Sequence, residues 1–133
     1  MVEDFEPFRK YIWTLLQQRL GLLVVGEVSD GPAAVLSAQE LRPDLVLLDM
    51  SLPTMTGMEI ARQLRKVAPQ AKIIFLTQDA SPDIVTEAFN LGARGYLRKL
   101  DVQKDLLPAV EAVIAGKRFV STSTSRPDIP FAE

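Results

Sequence analysis

The chain has 133 residues, 47% of them hydrophobic, and 17 acidic against 15 basic side chains leave a formal charge of -2. One globular domain is the usual solution at this size, no lysine or arginine run makes an electrostatic case for direct nucleic-acid binding, and no apolar stretch reaches the roughly 20 residues that span a bilayer. The absence of cysteine and histidine excludes disulfide frameworks, zinc sites and any mechanism needing a thiol or an imidazole, so chemistry is left to carboxylates, hydroxyls and amines.

The acidic start MVEDFEPF lacks the basic flank and apolar core of a signal peptide, and a cytoplasmic location is expected. Phe5, Phe8, Ile12, Leu15, Leu16 and Leu20 recur at three- and four-residue steps, predicting a first helix with that stripe on a sheet and Trp13 beside it. The apolar runs Leu22 to Val25, Leu45 to Leu48 and Ile73 to Leu76 are short and followed by turn residues, so each reads as a strand buried on both faces. Asp30-Gly31-Pro32 opens a helix that Arg42-Pro43-Asp44 closes, and Thr56-Gly57 and Val67-Ala68-Pro69 bracket the next. Ser81-Pro82 starts another and Gly92 stops it, Gly95-Tyr96-Leu97 makes the last strand, and Val102 to Ala115 a final helix closed by Gly116. The alternation of strands and helices predicts an α/β, doubly wound parallel sheet. After Gly116 the chain turns rich in serine, threonine and proline and reads as a tail or linker stub, too short for an output domain.

In open sheets of this kind ligands bind beyond the carboxyl ends of the strands. The residues leaving the strands there are Glu3 and Asp4, Asp49, Thr77 and Lys99. Two carboxylates about 4 Å apart repel by roughly 4 kcal/mol at an effective dielectric near 20, so the cluster calls for a cation. Magnesium suits it, binding one or two carboxylates and completing its shell with water and phosphate oxygens. Transfer of a phosphoryl group needs chiefly positioning and charge stabilisation, and Asp49 as nucleophile with Thr77 and Lys99 on the phosphoryl oxygens fits those tasks.

Four segments, VEDFEPFR, PDLVLLDMSLPTMTGMEIARQLR, KIIFLTQDA and GARGYLRKLD, together resemble, in order and spacing, the response-regulator receiver domains of two-component systems, a CheY-like superfamily. The resemblance covers roughly residues 1 to 120. It implies a receiver over residues 1–120 with a tail over 121–133, and a flavodoxin-like sheet of five parallel strands in the order 2-1-3-4-5 with five helices. It implies Asp49 as phosphoacceptor, Glu3 and Asp4 as the acidic metal pair, the Ser51 carbonyl as a further contact to Mg2+, Thr77 as switch hydroxyl, Lys99 as phosphate-binding amine and Tyr96 as switch aromatic. Pro53 and Gly57 match the loop after the acceptor. The implied partners are a sensor histidine kinase and a downstream protein or output domain, with a homodimer by family analogy alone. The protein would not be an enzyme, although it would assist its own phosphorylation and dephosphorylation.

The sequence departs from that pattern at two places. Only Met1 and Val2 precede Glu3, so the first strand reads as truncated, filled by a short stub, by residues outside this numbering or by exchange with a second chain. Gln78 follows Thr77 where the family has a small residue. Plainer readings stay open: Glu3 and Asp4 as solvated residues capping the first helix, Asp49 as a loop carboxylate, Thr77 as a satisfied strand end, Lys99 as a surface amine and Tyr96 as an edge-strand packing residue. Two other functions compete. A phosphorylation-independent pseudo-receiver would serve as an interaction module, and an aspartyl-phosphate phosphatase would need a carboxylate where Ser51 stands.

Overall fold

The computed structural model describes residues 1–52, 55–78 and 82–121; Pro53, Ser81 and the tail beyond Ser121 lie outside them. The helices begin where the sequence offers caps. Asp30 accepts the Ala33 amide at the start of α2 (Gly31–Leu41), and Thr56 accepts the Glu59 amide at the start of α3 (Gly57–Val67). Around them the chain runs α1 (Glu6–Leu16), α2, β1 (Leu45–Asp49), α3, β2 (Lys72–Thr77), α4 (Pro82–Asn90), β3 (Gly95–Arg98), a 3-10 turn (Lys99–Asp101), α5 (Val102–Ile114) and β4 (Phe119–Val120).

Every strand pairing is parallel, as crossover helices require. Side chains alternate across the sheet and feed two apolar layers. Val2, Leu48, Phe75, Tyr96 and Val120 pack with Ala34, Ile60, Leu64 and Val85 of α2, α3 and α4, while Leu47, Ile74, Leu76 and Leu97 pack with α1 and α5. The flavodoxin-like layering and its five α-helices are thus present among the described residues.

The strand count differs from expectation. Four strands in the order β1-β2-β3-β4 replace five in the order 2-1-3-4-5 among the described residues. Leu22 to Val25 is no strand, although its burial alternates residue by residue as a strand's does. Among the described residues no ladder pairing reaches it; Met1 and Val2 pair with the chain just after it, at Gly26 and Val28. Val2 forms parallel bridges to Val28 on one side and Leu48 on the other, so it sits as a one-residue stub in the interior position. Beside it an open groove of about 680 Å³ separates the Leu22–Gly26 segment from Leu45–Leu47. The Met1 ammonium is drawn into that gap and donates to the Gly26 carbonyl at 3.1 Å; burial lowers its pKa, with Glu27 opposing.

Three local expectations also change. In the α1 stripe Ile12, Leu15 and Leu16 are buried, but Phe5 and Leu20 stand exposed, because the helix begins after Phe5 and ends at Leu16. The chain does not leave the fold after Gly116: Phe119 and Val120 pair with Gly95 and Tyr96. Tyr96 therefore lies on an inner strand, flanked by β2 and β4, and not at the sheet's edge.

Candidate functional site

Register assembles the site. Leu48 sits opposite Phe75, Phe75 opposite Tyr96, and Val2 opposite Leu48, so one row of residues crosses the sheet. One residue further along each segment come Glu3 and Asp49, side by side at the carboxyl edge. Thr77 and Arg98 pair one step beyond, and Lys99 follows. The stub at Val2 is enough to put Glu3 there, since the Val2 amide donates to the Leu47 carbonyl at 2.8 Å and the Asp49 amide to the Val2 carbonyl at 3.0 Å.

Glu3 and Asp49 are buried, 0% and 1% exposed, and Lys99 reaches both: Nζ lies 2.8 Å from Glu3 Oε1 and 3.2 Å from Asp49 Oδ2. The second Asp49 oxygen, Oδ1, accepts the Ser51 amide at 3.0 Å. The Glu3 Oε2 atom accepts the Phe5 amide at 3.2 Å, and Arg9 donates to the Glu3 carbonyl at 2.9 Å, tying the acid to the first turn of α1. Burial raises the Glu3 carboxyl to about 7, with Lys99 and the Phe5 amide opposing and Asp49 adding to the rise. Burial alone would lower the Lys99 ammonium, but its pairing with Glu3 and Asp49 outweighs that and the net shift is upward. The Phe8 ring, with its centroid 5.0 Å from Nζ, gives the ammonium a further electrostatic contact.

Carboxylate oxygens of Glu3, Asp4 and Asp49 lie within 4.8 Å of one another. Asp4 is exposed, so its carboxylate bounds the cluster on the solvent side. Glu3 Oε1 is buried without a hydrogen bond of good geometry among the described residues; the close Lys99 contact is an ion pair and not an aligned donor. An all-oxygen donor set with an under-satisfied buried carboxylate fits a small hard cation such as Mg2+.

Thr77 is buried at the end of β2, and Gln78 after it is exposed. Tyr96 is fully buried, its ring 6.4 Å from Phe75. Ser51 is exposed and forms an antiparallel bridge to Thr56. Gly57 packs against the Asp49–Met50 backbone: a Cβ there would lie 2.7 Å from the Met50 Cα. Sequence reading missed two residues that touch this region. Phe8 was legible only as one member of a helical stripe, and Ser121, whose hydroxyl accepts the Arg98 amide at 2.9 Å, stood in a segment that reads as tail.

Comparison with known proteins agrees with this geometry. Residues 1–111 match the family model of the response regulator receiver domain. The response regulator GacA of Pseudomonas protegens is 33% identical over 121 residues, 91% of this chain and 57% of GacA. The response regulator UvrY of Escherichia coli K12 is 32% identical over 126 residues, 95% of this chain and 58% of UvrY. The chain therefore spans little more than half the length of these curated relatives. Among solved structures, a LuxR-family two-component response regulator from Aurantimonas sp. SI85-9A1 superposes with a TM-score of 0.87 at 33% identity, over 91% of this chain and 86% of that one. The isolated receiver (REC) domain of RcsB from Salmonella enterica serovar Typhimurium, solved with the phosphomimetic BeF3-, superposes with a TM-score of 0.85 at 26% identity, over 92% and 91% of the two chains. With motif order, sheet register and carboxyl-edge acids all in agreement, the chain belongs to the response regulator receiver domains of two-component systems.

Proposed function

We propose that this domain is a signalling switch in which Asp49 accepts a phosphoryl group from a sensor histidine kinase and passes the change to a downstream protein or output domain. The observation that carries the reading is the pairing of one ammonium, Lys99 Nζ, with two buried acids, Glu3 and Asp49, at 2.8 and 3.2 Å. A cation that neutralises Asp49 in the resting state stands ready to pair with phosphoryl oxygens once they arrive. In the transfer an Asp49 carboxylate oxygen attacks phosphorus, the new P–O bond forms as the P–N bond to the donor imidazole breaks, and the imidazole leaves. Glu3, Asp4, Asp49 and the Ser51 carbonyl would hold Mg2+. When bound, that ion supplies positive charge against the carboxylates and the phosphoryl oxygens.

In this reading Lys99 and the Thr77 hydroxyl take the phosphoryl oxygens, and phosphoaspartate, carrying a charge of roughly -1.5 to -2, biases the surface around β3, Tyr96 and α5. The domain itself is not an enzyme acting on a separate substrate. In this reading residues 1–120 are the receiver and 121–133 a tail or linker stub, with Ser121 still packed on the domain. The phosphorylation-independent interaction module remains the competing reading, and it is opposed by the position of Glu3, which the Val2 bridges hold beside Asp49.

Intact mass after incubation with Mg2+ and acetyl phosphate tests the proposal, with wild type and Asp49→Asn compared side by side. A magnesium-dependent gain of one phosphoryl mass in wild type alone is expected. No gain in folded wild type would move the interaction module ahead.

A further inference from the structure

The ladder between β3 and β4 changes character at its last rung. In a regular parallel pair the amides of alternate residues donate to main-chain carbonyls of the neighbour. Here the Phe119 amide donates to the Arg94 carbonyl at 3.0 Å and the Ser121 amide to the Tyr96 carbonyl at 2.9 Å. The next amide in the series, Arg98, donates at 2.9 Å to the Ser121 side-chain oxygen, Oγ. Ser121 is fully buried. A hydroxyl has thus taken the place of a carbonyl, and it holds the end of β3 at the residue immediately before Lys99.

We infer that Ser121 is a positioning residue for Lys99 and couples the phosphoryl site to the edge strand β4. It grips β3 on both sides of Leu97, at Tyr96 through its amide and at Arg98 through its hydroxyl, so the ends of β3 and β4 are tied together. Lys99 is the side chain whose partners must change when Asp49 is phosphorylated, exchanging carboxylates for phosphoryl oxygens. The strain or order this places on the Arg98–Lys99 backbone reaches Ser121 through one hydrogen bond. Coupling of this kind is reciprocal: if an occupied site tightens the Ser121 contact, removing the hydroxyl weakens binding at the site by the same factor. The inference rests on Asp49 being the phosphoacceptor.

The test uses the whole chain with Mg2+ and fluoroberyllate as the phosphoryl mimic. Residue-resolved amide exchange is followed at Arg98 and Ser121, and fluoroberyllate affinity is measured for wild type, Ser121→Ala, Ser121→Thr and Asp49→Asn. Exchange at both amides slows by about fivefold or more on fluoroberyllate binding to wild type and does not change in Asp49→Asn. Ser121→Ala binds fluoroberyllate about fivefold or more weakly, and Ser121→Thr, which restores the acceptor, recovers most of that loss. Unchanged exchange in wild type that binds the mimic overturns the coupling while leaving the phosphoacceptor intact. So does a folded Ser121→Ala with wild-type affinity. If wild type takes up no fluoroberyllate at all, the phosphoacceptor reading falls and this inference falls with it. Should Ser121→Ala fail to fold, exchange in wild type decides by itself.

Discussion

Replacing Glu3 by glutamine keeps the side chain's size while deleting the charge whose burial the site tolerates least. The Glu3 carboxyl is raised from 4.5 to about 7 by desolvation. An acid held above its unfolded value binds its proton more tightly in the folded state. Folding therefore takes up a proton between pH 4.5 and 7, and stability falls as pH rises through that window. Below it the penalty is absent, and above it the penalty is constant. At about 1.36 kcal/mol per pH unit, titrating Glu3 from pH 5 to pH 8 should cost wild type about 2–3 kcal/mol relative to Glu3→Gln. The Lys99 ion pair forms only as Glu3 ionises, so its opposing effect is already contained in the Glu3 value of about 7 and adds no separate term. Urea unfolding of both proteins in EDTA at half-unit pH steps measures the difference, and the subtraction removes the groups that do not contact Glu3. Difference curves flat within about 0.5 kcal/mol, or rising with pH, would refute the idea that Glu3 is held in a desolvated, costly state.

Because metal binding needs ionised carboxylates, Mg2+ should raise the unfolding midpoint of wild type more at pH 8 than at pH 5.5, and much less in Asp4→Asn, as read by thermal unfolding with and without the ion. Gly57→Ala forces a Cβ to 2.7 Å from the Met50 Cα and 3.0 Å from the Asp49 carbonyl; a loss of about 1–3 kcal/mol in urea unfolding and slower mass gain from acetyl phosphate are expected. Removing the α2 cap with Asp30→Ala should cost about 1 kcal/mol in the same unfolding assay without changing phosphoryl uptake.

Much of this protein was legible in one dimension. Unbroken apolar runs at Leu45 to Leu48 and Ile73 to Leu76 announce strands covered on both faces. Caps at Asp30 and Thr56 start helices where the structure starts them. Polar residues at the strand exits bring carboxylates and an amine to one edge, because parallel strands all end there. These features are local, so the sequence by itself determined the layering, most helix limits and the gathering of Glu3, Asp49, Thr77 and Lys99 at the carboxyl end.

What only the tertiary structure decided depends on partners distant in the chain. Leu22 to Val25 has a strand's composition and alternation yet no ladder, since a strand exists only when a neighbour accepts its hydrogen bonds. Val2, a single residue, does the work expected of a strand because Val28 and Leu48 hold it on both sides. Phe119 to Ser121 has the composition of a tail and becomes the sheet's edge because Gly95, Tyr96 and Arg98 offer it a ladder. Composition sets which conformations a segment tolerates, and the hydrogen-bonding edge it meets after folding selects among them.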